Sequence, residues 1–158
     1  MMSDMDWVKK IHELGVTKLN EDEVTEEGIK NLERHLGSNL PNDYRYFLKE
    51  YGVSDFESWV TYPTIEGGVF LGTFIGLDIY QIIDDCSERL PKKCIPINDD
   101  GGGNLIVMSL NENNYGFVYF QHHSIGMGDK PDTDTNRWGT LSILANSFTD
   151  FIDGLESS

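Results

Sequence analysis

The sequence predicts an α+β fold in one domain over residues 1–158. The expected architecture is a mostly antiparallel β-sheet packed by N-terminal, middle and C-terminal helices. Three observations predict it. Apolar residues recur at helical spacing near both ends of the chain. The middle is rich in aromatic and β-branched residues bounded by Gly or Pro, the texture of strands. The 158 residues contain no repeat, linker or low-complexity run, and a chain of that length buries about 70% of its unfolded surface without disulfides or metal.

The elements follow in order. Trp7, Ile11 and Leu14 recur at i, i+4 and i+7, so residues 6–14 read as a helix stopped by Gly15. An acidic connection leads to Thr25, an N-cap that places Glu26 and Glu27 in the first turn of a second helix. Carboxylates there oppose the helix dipole. Ile29, Leu32 and Leu36 form its stripe and Gly37 closes it. Leu40-Pro41-Asn42-Asp43 opens a third helix, with Tyr44, Phe47, Leu48 and Tyr51 on one face, Gly52 at its end and Leu40 able to staple onto Tyr44. Residues 58–62 and 69–74 read as strands. Residues 79–90 look helical, with Ile79, Ile82, Ile83, Cys86 and Leu90 on one side. A short strand at 94–98 precedes a turn at 99–103. Residues 104–110 and 116–121 then form a hairpin. Residues 124–136 read as a polar loop. Ser147 caps a last helix whose Phe148, Phe151, Ile152 and Leu155 share one face, with Asp150 at capping-box spacing.

Charge narrows the function classes. Lys and Arg number 12 and Asp and Glu 27, a net of −15. Phosphate backbones repel such a surface, and the densest basic pairs, Lys9-Lys10 and Lys92-Lys93, make no patch, so direct nucleic-acid binding is not expected. The excess is uneven: residues 1–50 carry a net of −4 and residues 51–158 a net of −11. The first ten residues hold acids and no apolar h-region, so no secretory signal is expected. The longest apolar stretches, such as 79–83, are far too short to span a bilayer. Cys86 and Cys94 fit no redox or zinc spacing and are expected to be reduced thiols in a cytoplasmic protein.

Few motifs suggest catalysis. Asp132, Asp134 and Asn136 open a calcium-loop pattern that fails at Arg137, where Gly is needed, and at Ile143, where Glu is needed, leaving a solvated acidic loop. His122 and His123 are adjacent on a strand end and point to opposite faces, so they do not clamp one metal. Either could pair with Asp99 or Asp100 for zinc or acid–base work, but the spacing fits no metal motif. The 99–103 segment lacks the Lys of a phosphate loop and carries two repelling aspartates, so it reads as a turn that needs φ > 0. No nucleophile elbow or HExxH helix occurs. No catalytic residue, metal or cofactor is expected, and the chain does not read as an enzyme. A metal-dependent hydrolase built on the histidines and Asp99 or Asp100 is the weakest alternative. Tyr51, Tyr115, Tyr119, Trp59 and Trp138 are candidate interface anchors, each weighed against simple core packing.

Four segments in order carry a resemblance: Leu36-Gly37 with Leu40-Pro41-Asn42-Asp43-Tyr44 and Phe47-Leu48-x-x-Tyr51-Gly52; Ile95-Pro96-Ile97 with Asp99-Asp100-Gly101-Gly102-Gly103-Asn104; Gly116-Phe117-Val118-Tyr119-Phe120; and Ala145-Asn146-Ser147-Phe148-x-x-Phe151-Ile152. Together they resemble the SUKH superfamily over about residues 25–155, with 1–24 as an added helix and acidic connection. One departure is that the family's hairpin often ends in Trp-Asp-His, where this chain has Phe120-Gln121-His122. A role attached to that acid is not carried over. The resemblance implies a single α+β domain. It also implies the bacterial immunity-protein type, which binds a cognate polymorphic toxin, often a basic nuclease domain, and blocks it in the cytoplasm. The alternative it implies is a regulatory protein-binding scaffold of the cell-wall-synthesis-regulator type. An acidic inhibitor can mimic the charge of a nuclease substrate and be steered to the enzyme. Asp99, Asp100, Asp129, Asp132 and Asp134 are the acids expected to meet such a toxin.

Overall fold

The first helix, α1 (Asp6–Leu14), forms where its apolar spacing places it, and Trp7, Ile11 and Leu14 are buried. The computed structural model describes residues 6–19, 24–64, 67–78, 90, 93–121, 131–132, 137–138 and 141–157. In α2 (Glu26–Leu36) the Thr25 hydroxyl accepts the Gly28 N–H at 3.0 Å, and Gly37 ends the helix at φ 70°, a left-handed conformation that costs a side chain-free residue little. Helix α3 (Asn42–Tyr51) starts after Pro41, and the Asp43 carboxylate accepts the Tyr44 N–H at 2.8 Å. Arg45 joins the two helices, pairing with Glu26 at 2.7 Å, while Glu33 accepts the Leu40 N–H at 2.8 Å. The last helix, α4 (Phe148–Asp153), is capped by Ser147, whose hydroxyl accepts the Asp150 N–H at 3.0 Å.

Twelve strands are described. They are β1 (Val16–Lys18), β2 (Ser54–Phe56), β3 (Val60–Thr64), β4 (Gly67–Phe70), β5 (Thr73–Phe74) and β6 (Cys94–Asp99) in the first part of the chain. They continue with β7 (Leu105–Ser109), β8 (Val118–Gln121), β9 (Pro131–Asp132), β10 (Arg137–Trp138), β11 (Leu141–Ala145) and β12 (Glu156–Ser157). Among the described residues nine form a sheet in the order β1-β2-β5-β6-β7-β8-β11-β10-β9, and three form a small sheet in the order β12-β3-β4. All of the described pairings are antiparallel. The architecture is therefore the α+β fold expected.

Both faces of the central strands are buried, so β7 reads as a continuous apolar run rather than an alternating one. On one face Ile95, Ile97, Ile106, Met108 and Val118 meet the helices. There Phe47 lies 4.6 Å from Phe74 and 5.2 Å from Phe148, centroid to centroid, and Tyr44 lies 5.3 Å from Phe148. Each such side chain contributes about 1.5–3 kcal/mol by burial. On the other face Cys94, Leu105, Val107, Tyr119 and Leu141 form a second cluster, with Leu90 against it.

The structure corrects three local expectations. The 69–74 run is not one strand: β4 belongs to the small sheet and β5 to the large one, with Leu71 and Gly72 between them. The 124–136 segment is not all loop, because Pro131–Asp132 pairs with Arg137–Trp138. That ladder sets Asp132 opposite Arg137, the first and sixth positions of the failed calcium pattern. Strands β1, β2, β11 and β12 were not expected at all. The middle helix expected at 79–90 lies outside the described residues apart from Leu90, as do Cys86, His122 and His123.

Candidate protein-binding surface

The break between β4 and β5 builds the surface. Buried Asn98 turns its amide onto the Gly72 backbone, accepting the Gly72 N–H at 2.8 Å and donating to the Gly72 carbonyl at 3.1 Å. The chain there runs so close to β6 that a Cβ on Gly72 would stand 2.1 Å from the Asp99 carbonyl oxygen. Only glycine fits that approach. The register of β6 against β7 also slips between Pro96 and Asn98, the mark of a bulge. Asn98 thus fastens the small sheet's exit strand to the edge of the 99–103 turn.

That turn is organised by its own acids. Asp100 accepts the N–H groups of Gly102 at 2.7 Å and Asn104 at 3.1 Å, and its second oxygen accepts the Asn104 side-chain amide at 2.7 Å. Asp99 accepts the Gly101 N–H at 2.8 Å. Gly101 and Gly103 adopt φ of 86° and 99°, as a turn built by aspartates requires. Asp55 on β2 accepts the Phe56 N–H at 2.9 Å. Asp55, Asp99 and Asp100 line one open cleft of about 370 Å³ with Gly72, Thr73 and Phe74. Among the described residues no cation pairs with these three carboxylates.

Of the five acids expected at a binding surface, the structure brings Asp99 and Asp100 together. Asp132 lies on β9, and Asp129 and Asp134 lie outside the described residues. Asp55 was missed, and no spacing in the sequence signals it, since a β2–β5–β6 neighbourhood creates it. The candidate anchors separate sharply. Tyr119 is buried, its hydroxyl accepting the Asn114 amide at 2.8 Å, and Tyr51 is partly buried. Tyr115 is exposed and donates to the Asn39 carbonyl. Trp59 is 71% exposed and touches Phe70, 56% exposed, with ring centroids 6.0 Å apart at 74°. The Trp138 side chain lies outside the described residues.

Other chemistry is sparse. Among the described residues no group of three or more His, Cys, Asp and Glu is placed to hold a metal ion. Burial pushes the Cys94 thiol well above its ordinary range, which suppresses thiolate chemistry. Cys94 is a free thiol in a chain of buried polar groups, where Ser109 donates to Asn114 at 2.7 Å. Among the described residues no helix is long and apolar enough to cross a membrane.

The chain is similar to known proteins over most of its length. The SPbeta prophage-derived uncharacterized protein YokK of Bacillus subtilis (strain 168) is 31% identical over 154 aligned residues, covering 83% of this chain and 74% of that protein. The model of the SMI1 / KNR4 family (SUKH-1) matches residues 23–154, the span that runs from the approach to α2 to the end of α4 and leaves out α1, β1 and β12. With the α+β fold and most of the chain inside that match, the protein belongs to the SMI1 / KNR4 family (SUKH-1).

Proposed function

We propose that this protein is a cytoplasmic immunity protein that binds a cognate polymorphic toxin, most simply a basic nuclease domain, and neutralises it by occlusion. The observation that carries the reading is the conjunction of SUKH membership with a net charge of −15 and an acidic cleft at Asp55, Asp99 and Asp100 that no cation of the described residues neutralises. A nuclease holds its substrate with cations. An acidic inhibitor competes for them and is steered to the site faster than diffusion alone allows, by a factor that falls as salt rises. Occlusion asks for no catalysis from the inhibitor. It asks for a rigid surface, and the Asn98 clamp and the Asp100 turn supply one.

The test is co-expression of the tagged protein with the product of the neighbouring reading frame in a bacterial host. A stoichiometric complex that also rescues the host is expected. A well-folded protein that neither binds nor rescues would overturn the immunity reading and point to the regulatory-scaffold alternative.

A further inference from the structure

We propose that the Trp59–Phe70 pair is the anchor of the partner interface, where a basic protein sets an arginine or lysine side chain over the exposed rings beside Asp55 and Asp99. This rests on the proposed binding function and names its contact point. Single exposed apolar residues are ordinary on a protein surface. Here the two most exposed large apolar side chains of the described residues are in contact with each other. Aromatic residues in such positions dominate interfaces.

The exposure does not come from a loosely held hairpin. Val60 and Val69 beneath the pair are buried. The Leu71 N–H donates to the Val60 carbonyl at 3.0 Å. The Tyr62 hydroxyl donates to the Leu144 carbonyl at 2.8 Å, and its ring stacks on Phe151 at 5.5 Å. Strand β12 closes the far side by pairing with β3. Both rings are therefore largely exposed on a platform fixed to the core, which lowers the entropy cost of binding.

Charge selects the occupant. Residues 50–88 contain eight acids and no Lys, Arg or His, and the pair sits inside that stretch. Phe70 is two residues from Gly72, which abuts Asp99 and Asp100. Two residues of chain span at most about 7 Å, so the backbone that carries Phe70 leads directly into the approach to the acidic turn. Among the described residues Asp55 and Asp99 each commit one carboxylate oxygen to a backbone N–H. A cation seated on the indole face gains from the ring quadrupole, and the negative field of this stretch adds to the attraction. Nucleic acid and a second copy of a chain carrying −15 are both repelled.

The experiment measures affinity between the full-length protein and the product of the neighbouring reading frame, by calorimetry, for wild type, Trp59→Ala, Trp59→Leu, Phe70→Ala and Tyr115→Ala. Circular dichroism and melting temperature confirm folding of each variant. Trp59→Ala is expected to weaken binding about thirtyfold or more, and Phe70→Ala about tenfold. Trp59→Leu keeps apolar area but loses the ring face, and is expected to lose about tenfold. Tyr115→Ala, on a different element, is expected to match wild type. Affinities of the Trp59 and Phe70 variants all within about threefold of a tightly binding wild type would overturn the anchor and leave the immunity reading standing. No complex with wild type would overturn both. A wild-type dimer that Trp59→Ala dissolves would assign the pair to self-association instead and overturn the proposal.

Discussion

Replacing Asp43 with Ala tests how the domain is held shut. Asp43 stands in the first turn of α3, yet it serves the start of α4, 106 residues later. One carboxylate oxygen accepts both the Thr149 N–H and the Thr149 hydroxyl at 2.9 Å, and the other accepts the Tyr44 N–H at 2.8 Å. Ser147 satisfies the Asp150 N–H, so Asp43 and Ser147 between them cap α4. That six-residue helix buries Phe148, Phe151 and Ile152. Hydrogen bonds to a charged group are worth about 1.5–3 kcal/mol each, and those to one carboxylate do not add fully. The Tyr44 N–H is the one most easily given to water. The expected loss is therefore about 3 kcal/mol for Asp43→Ala and about half that for Asp43→Asn. For a domain of this size 3 kcal/mol lowers the melting temperature by about 6–12 °C. Urea unfolding followed by circular dichroism is the assay, with a lower midpoint and an unchanged slope expected. Thr149→Val removes only the hydroxyl and is expected to cost about 1 kcal/mol. Combined with Asp43→Ala it should cost less than the two summed, since both delete one bond. An Asp43→Ala loss below about 0.5 kcal/mol, or full additivity in the double variant, would refute the cross-helix cap.

Three further outcomes follow from the same geometry. Gly72→Ala sets a Cβ 2.1 Å from the Asp99 carbonyl oxygen and 2.7 Å from the Asp100 Cα, both backbone; it should cost about 3 kcal/mol or more in a thermal melt, and a loss under about 1 kcal/mol would contradict the close approach. Asp100→Ala strips three hydrogen bonds from the turn and Asp99→Ala one, so urea midpoints should show about 2 kcal/mol against about 0.5 kcal/mol; the reverse order would sink the assignment. Burial raises the Tyr44 phenol above its ordinary value, so its share of stability is intact below about pH 10 and falls as pH rises further, where only the unfolded chain ionises readily. Tyr44→Phe should flatten stability against pH above about pH 10, and an unchanged alkaline slope would argue that the hydroxyl is hydrated.

Much of the fold was legible because local chemistry decides it. Thr25 and Gly37 bracket α2 with groups a few residues away, and Ser147 does the same for α4. What escaped was decided at a distance. The 69–74 run looks like one strand, and the residue that divides it, Asn98, lies 26 positions away. Strand β11 hides because its register against β8 slips between Ile143 and Ala145, which spoils the alternation a strand needs to be recognised. The site behaved similarly. Asp99 and Asp100 were legible as a turn, but their unequal work was not, since Asp100 is a turn-former with both oxygens engaged. Trp59 and Tyr119 both read as strand residues in the sequence, but Trp59 precedes β3 of the small sheet and is exposed, whereas Tyr119 lies on β8 of the large sheet and is buried.

The segments that identify the family are largely consumed in building it. Asp43 caps α4, Tyr44 and Phe47 pack on Phe148, and Asp100 and Asn104 knot the turn. Residues so engaged are poorly placed to discriminate partners, because changing them costs stability before it alters recognition. Asp55, Trp59 and Phe70 lie between the first two of those segments, exposed or half-exposed, on or beside strands held by the core. They can change with little cost to folding. On the proposed binding function the fold and the choice of partner are thus carried by different residues, and a family match reports mainly on the first.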